Sequence, residues 1–294
     1  MDKLQSLPDA CFPNLGIAVQ NMQRVAFTIF GFDVYWYGIF ICLGVICGIS
    51  LLVYNAKSTG QSADPYLDFA FWGIISGILG ARAYYVIFFN KSLANFFAFR
   101  DGGLAIYGGV IGAFIAALVY TQIHKIPFLK FIDTYAPPLM MGQVVGRLGN
   151  FVNREAFGKA YDGFFALMYK ADQVSHLKIN GDIGLYRDIS EYPLTYIKGV
   201  AYISVHPTFL YELSWNFMTI IIMLLSRKNK KFEGKISCLY LLFYGIGRFF
   251  IESLRTDQLM IGKVPVSMIV SAAIAVTGAV LLLIFDRKKP MINK

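Results

Sequence analysis

VYWYGIFICLGVICGISLLVY, residues 34–54, runs for twenty-one positions without a single charged side chain. About 20 mostly apolar residues are what an α-helix needs to cross the hydrocarbon core of a bilayer. Six further stretches repeat the theme at approximately 69–89, 104–120, 131–151, 207–225, 236–252 and 264–285. The last is also free of charge inside the span, whereas 131–151 carries Asp133, Pro137, Pro138 and Arg147. Prolines are tolerated in such helices when neighbours satisfy the freed backbone groups. The reading is an all-α polytopic membrane protein with seven transmembrane helices.

Composition points the same way. Of 294 residues only 15% are charged and 56% are hydrophobic, with mean hydropathy +0.55. A soluble domain carries about 25% charge, so a soluble enzyme is excluded, and 47 aromatic residues exclude disorder. The net charge of +9 would suggest nucleic acid in a soluble chain; here it is read as a topology signal, with no nucleic-acid partner. Cys11, Cys42, Cys47 and Cys238 have neither metal-ligand nor disulfide spacing, and no metal or cofactor is expected. The first 33 residues have no apolar run of signal-peptide type.

Lysine and arginine counts set the expected orientation. The loops at 55–68, 121–130 and 226–235 and the tail at 286–294 hold twelve, against four in the alternate short loops. Short loops rich in Lys and Arg face the cytoplasm, so the N-terminus is outside and the C-terminus inside. Residues 154–205 differ, with six basic and six acidic residues, many aromatics and an Asn180-Gly181 turn signal. They are read as a small extracytoplasmic head domain with some strand content. The organisation expected is an extracytoplasmic segment 1–33, helices 1–4 over 34–153, the head at 154–205, helices 5–7 over 206–285 and a cytoplasmic tail at 286–294.

Three arginines fall inside predicted spans: Arg82, Arg147 and Arg248. Each costs roughly 2.5–3.5 kcal/mol at a helix centre, which makes an intramembrane charge a functional hypothesis. Spans two, four and six all run outward. At 1.5 Å per residue, Arg82 lies about 10 Å below the outer boundary, and Arg147 and Arg248 about 6 Å. Tyr37, Tyr107, His206 and Tyr211 lie on that same side, at the starts of odd-numbered spans. Guanidiniums sunk there suit a lipid phosphate, which arginine binds with two parallel hydrogen bonds. Tyr244, Arg248, Glu252 and Arg255 are spaced by 4, 4 and 3 on one helical face, with Glu252 placed to hold both arginines. Arg147, Asn150 and Asn153 make a second polar strip, and Glu155 lies just beyond. The pairs Gly44/Gly48 and Gly73/Gly77 have the spacing of helix-packing glycines.

The stretch GRLGNFVNREAFG at 146–158 resembles the signature of the bacterial phosphatidylglycerol–prolipoprotein diacylglyceryl transferases. The resemblance extends in order through VYWYG, GARAYYV, DGGLAIYGG, HPTFLYE and YGIGRFFIESLRTD, covering residues 34 to 257. It implies a transferase of the bacterial cytoplasmic membrane. Such an enzyme moves the sn-1,2-diacylglyceryl group of phosphatidylglycerol to the thiol of a lipobox cysteine in a prolipoprotein signal peptide, forming a thioether and releasing glycerol phosphate. The partners implied are phosphatidylglycerol, the prolipoprotein and the surrounding membrane lipid, with the active site toward the outer leaflet.

By the same resemblance Arg147 and Arg248 hold the lipid phosphate, and Asn150, Glu155 and Gly158 belong to the signature site. Tyr37, His206, Tyr244, Glu252 and Arg255 complete or support it, and Arg82 and Asn153 are added as substrate-binding from their polar positions. Many relatives place a histidine, as catalytic base, where this chain has Tyr107. With a reference pKa near 10 a tyrosine is a poor proton acceptor at neutral pH, so the base is left open among His206, Glu155 and an arginine-activated Tyr107. The competing reading is a membrane transporter for an anionic substrate. It requires polar residues through the whole depth, whereas the inner halves of the spans are apolar apart from Asp133.

Overall fold

The computed structural model describes residues 7–88, 96–97, 103–174, 192–256, 258, 260–261 and 264–287. Seven α-helices carry the structure: α1 (Trp36–Ser58), α2 (Asp64–Phe88), α3 (Ile106–Ile123), α4 (Phe128–Asn153), α5 (Thr208–Ser226), α6 (Lys235–Leu254) and α7 (Val266–Arg287). All but α4 are long and apolar enough to cross a membrane. Several run past the expected stretches; α2, for instance, starts five residues before Phe69. Hydropathy marks only the apolar part of a helix, while its backbone ladder continues into polar ends.

α4 is the least apolar because it is surrounded. It packs along α1 and also meets α5, α6 and α3. Pro137 and Pro138 lie within it. A proline at 138 has no N–H for the carbonyl of Thr134, four residues back. The buried Asn55 of α1 supplies the missing donor, its Nδ2 lying 3.1 Å from that oxygen. Close approach of the two helices follows from small residues: a Cβ at Gly44 or Gly48 would come within 3.3 Å of the Gly142 or Pro138 carbonyl oxygen. The glycine spacing in α1 is therefore packing, as expected. Gly108 behaves likewise, since a Cβ there would meet the Gly80 carbonyl of α2 at 2.3 Å.

Among the described residues nine short strands accompany the helices. β1 (Ala10–Phe12), β2 (Ile17–Val19), β5 (Leu167–Lys170), β6 (Leu194–Ile197) and β7 (Val200–Val205) form one antiparallel sheet in the order β2-β1-β5-β7-β6. β3 (Val25–Ile29) and β4 (Phe32–Tyr35) form a hairpin leading into α1, and β8 (Met260–Ile261) pairs with β9 (Val264–Pro265) before α7. Ala10 pairs with Tyr169, so the N-terminal segment supplies two strands to the sheet that also holds β5, β6 and β7. The sequence reading kept these segments apart, because pairing over that separation leaves no local trace. Residues 175–191, which include Asn180-Gly181, lie outside the described residues.

The sheet packs on one end of the bundle. Phe12, Leu167, Tyr169, Ile203 and Val205 cluster with Phe151 and Val152 of α4 and Phe209 and Leu210 of α5. At the opposite end Leu52, Tyr66, Phe69, Tyr120 and Phe131 join α1, α2, α3 and α4. There Asp133 of α4 accepts the backbone N–H groups of Gly234 (2.7 Å) and Ser237 (2.8 Å), capping the start of α6, and pairs with Lys230 at 2.9 Å. The inner polar exception seen in the sequence is thus a cap.

Candidate active site

At the sheet end of the bundle the chain ends of α4 and α6 and the start of α5 converge. Helical spacing puts Arg147 and Asn150 of α4 on one strip and Tyr244, Arg248 and Glu252 of α6 on another. Between them stands Glu212 of α5, buried with its side chain 5% exposed. One carboxylate oxygen pairs with Arg147 Nη2, and the other lies 3.4 Å from Arg248 Nη1. Arg248 Nη2 also pairs with Glu252 at 2.6 Å, the i,i+4 contact expected from spacing. Arg147 Nη1 donates to Asn150 Oδ1 at 3.1 Å. Asn150 Nδ2 and Asn153 Nδ2 both donate to Glu155 Oε1, at 2.9 and 3.4 Å. A continuous chain of alternating charge therefore runs from Glu155 to Glu252.

The other expected residues gather around it to different degrees. The Tyr37 ring lies on Gly149, where a Cβ would sit 2.6 Å from Tyr37 Cδ2, and its hydroxyl is within electrostatic reach of Glu155 and Arg147. Tyr244 is in reach of Arg147, Arg248, Glu212 and Tyr107, and Arg255 of Arg147. Tyr107 occupies the first turn of α3 and is 39% exposed. Five helices thus contribute to one polar layer.

Three further expected residues make contacts beside this chain. Arg82 is 3% exposed and donates to the carbonyl oxygens of Phe96 (2.9 Å) and Gly103 (3.1 Å), with its guanidinium 5.6 Å from the Tyr85 ring. Those bonds tie α2 to Phe96 and Gly103. Gly158 is a joint: its N–H donates to the His206 carbonyl, it bridges Arg255, and a Cβ would sit 2.7 Å from His206 Cβ. His206 stacks on Tyr161 at 3.9 Å and its Nδ1 lies 3.3 Å from the Tyr211 hydroxyl, so its ring belongs to the sheet side of the junction. Burial, aided by the positive charge of Lys159, pushes the His206 imidazole below its ordinary pKa.

Sequence reasoning passed over Glu212. The signal was available: a carboxylate at the seventh position of HPTFLYELSW, inside an apolar span, is as costly as the intramembrane arginines. Its spacing relates it only to its own helix, so nothing local announced the two arginines.

The Prolipoprotein diacylglyceryl transferase family model matches residues 24–284. Relatives named phosphatidylglycerol–prolipoprotein diacylglyceryl transferase include those of Clostridioides difficile and Finegoldia magna. Each is 40% identical over 272 residues, covering 91% of this chain and 97% of the relative. The relative of that name from Bacillus cytotoxicus is 36% identical, covering 91% and 93%.

Proposed function

Since the chain belongs to the prolipoprotein diacylglyceryl transferase family, we propose that it transfers the sn-1,2-diacylglyceryl group of phosphatidylglycerol to a prolipoprotein. The acceptor is the thiol of the lipobox cysteine; a thioether forms and glycerol phosphate leaves. The observation that carries this for the site is the convergence of Arg147 and Arg248 on one buried carboxylate. Two guanidiniums focused on a single anion position suit a phosphate as well as they suit Glu212.

Displacement at the glyceryl carbon needs two things. The leaving phosphate must have its charge stabilised in place, which two fixed arginines in a poorly hydrated layer supply. The incoming sulfur must lose its proton. Because the nucleophile arrives with the substrate, the enzyme needs no reactive cysteine of its own. Glu252 and Asn150 keep the two guanidiniums in place, Glu155 orients Asn150, and Tyr37, Tyr107 and Tyr244 line the approach.

In the bilayer, α4 crosses as the seventh span, shielded by α1, α5 and α6. The twelve-to-four distribution of lysine and arginine supports a cytoplasmic C-terminus, with the sheet as the extracytoplasmic head and the arginines under the outer leaflet. Purified protein incubated with glyceryl-labelled phosphatidylglycerol and a lipobox peptide should label the cysteine peptide and not its serine variant. Absence of label from both, with the protein folded, refutes the reading.

A further inference from the structure

Glu212 holds the place the phosphate would take. Its two oxygens occupy one arm each of Arg147 and Arg248, and it is the residue common to both. Each arginine keeps a second partner, Asn150 for Arg147 and Glu252 for Arg248, that would hold it in position if Glu212 moved away. One turn along α5, on the same face, lies Asn216. It is 2% exposed, and its Nδ2 is buried with no hydrogen-bond partner among the described residues. A buried donor left unmatched costs roughly as much as a lost hydrogen bond. It is a ready landing point for a displaced carboxylate.

The charge count makes the displacement chemical. Arg147 and Arg248 balance Glu212 and Glu252, the two carboxylates paired with them. A phosphodiester anion entering this layer leaves one negative charge in excess, at low dielectric, unless a carboxylate takes up a proton. The carboxylate that loses its cations is Glu212.

Resting on the transferase reading above, we propose that Glu212 is the catalytic base, kept inactive by the two arginines until the lipid phosphate displaces it. The thiol S–H bond breaks and its proton passes to the freed Glu212. The sulfur pair forms the C–S bond at the glyceryl carbon as the C–O bond to phosphate breaks, and that electron pair leaves with glycerol phosphate. Glu212 then returns the proton to the departing phosphate as the arginines close on it again. A phosphatidylglycerol-free enzyme would thus not deprotonate its peptide.

Two measurements on Glu212→Gln in nanodiscs test this. Without peptide, labelled phosphatidylglycerol should bind the variant roughly tenfold tighter than wild type, because no charge-assisted pair has to be broken first. With peptide, turnover at pH 7 should fall, then climb about tenfold per pH unit toward the ordinary thiol pKa near 8.5, while wild type stays flat. Glu212→Asp should keep the flat profile at reduced rate, which separates loss of the base from loss of folding. Equal or weaker lipid binding by Glu212→Gln, or a pH profile parallel to wild type, overturns the proposal. Wild type that binds the lipid but labels no peptide overturns the transferase reading instead.

Discussion

Arg147→Lys separates charge from geometry. The arginine uses one nitrogen on Glu212 and the other on Asn150, so its fork spans two partners on different helices. An ammonium on a flexible stem keeps the charge but offers no rigid pair of parallel donors. The missing contact is a charge-assisted hydrogen bond, worth ~1.5–3 kcal/mol. At about 1.4 kcal/mol per factor of ten, that is roughly a ten- to 150-fold fall in kcat/KM for label transfer to the cysteine peptide. The thermal midpoint should move little, because the positive charge beside Glu212 remains. Arg82→Lys is the internal control: its bonds go to the Phe96 and Gly103 carbonyls, so it should lower the midpoint more than it lowers turnover. Wild-type turnover in Arg147→Lys, or an Arg82→Lys variant equally inactive at unchanged stability, would refute the division of roles.

Gly149→Ala places a Cβ 2.6 Å from Tyr37 Cδ2 and must shift that ring. A displacement near 1 Å in a positioning residue predicts roughly ten- to hundredfold slower transfer, read beside an unchanged expression level in membranes. Tyr107→Phe should retain more activity than His206→Ala, which unstacks Tyr161 at the Gly158 joint; the reverse order in the same assay would make the tyrosine hydroxyl the critical group. Asp9 is opposed by burial, yet hydrogen bonds from Lys170 (2.8 Å), the Met22 N–H (2.8 Å) and Gln173 (3.0 Å) hold its carboxyl below the usual value. A depressed folded pKa gives stability that is present above the unfolded value near 4 and lost as pH falls through the folded one. The melting midpoint of wild type should therefore drop more between pH 5 and 3 than that of Asp9→Asn, and parallel curves would remove Asp9 from the account.

Much of the site could be read along the chain because its members repeat at helical intervals. Arg248 and Glu252 are four apart, and the structure joins them. Arg147 and Asn150 are three apart and also meet. Burying charge in an apolar stretch is costly enough to be visible in a single sequence, so the two arginines stood out without any partner being known. Arg82 stood out for the same reason and donates to the Phe96 and Gly103 carbonyls, since burial cost says that a charge must be satisfied but not by what.

The sequence by itself determined that this chain enters a membrane, where its helices run and which helical faces are polar. Those properties are local: apolar length and a repeat of three to four residues. Only the tertiary structure decided which faces meet. Arg147 and Glu212 are sixty-five positions apart, Asn55 and Thr134 seventy-nine, and Ala10 pairs with Tyr169 across most of the chain. A helix turns a residue toward a direction, and packing alone supplies what stands there. For that reason the arginines were legible as a layer, while the carboxylate holding them together was not.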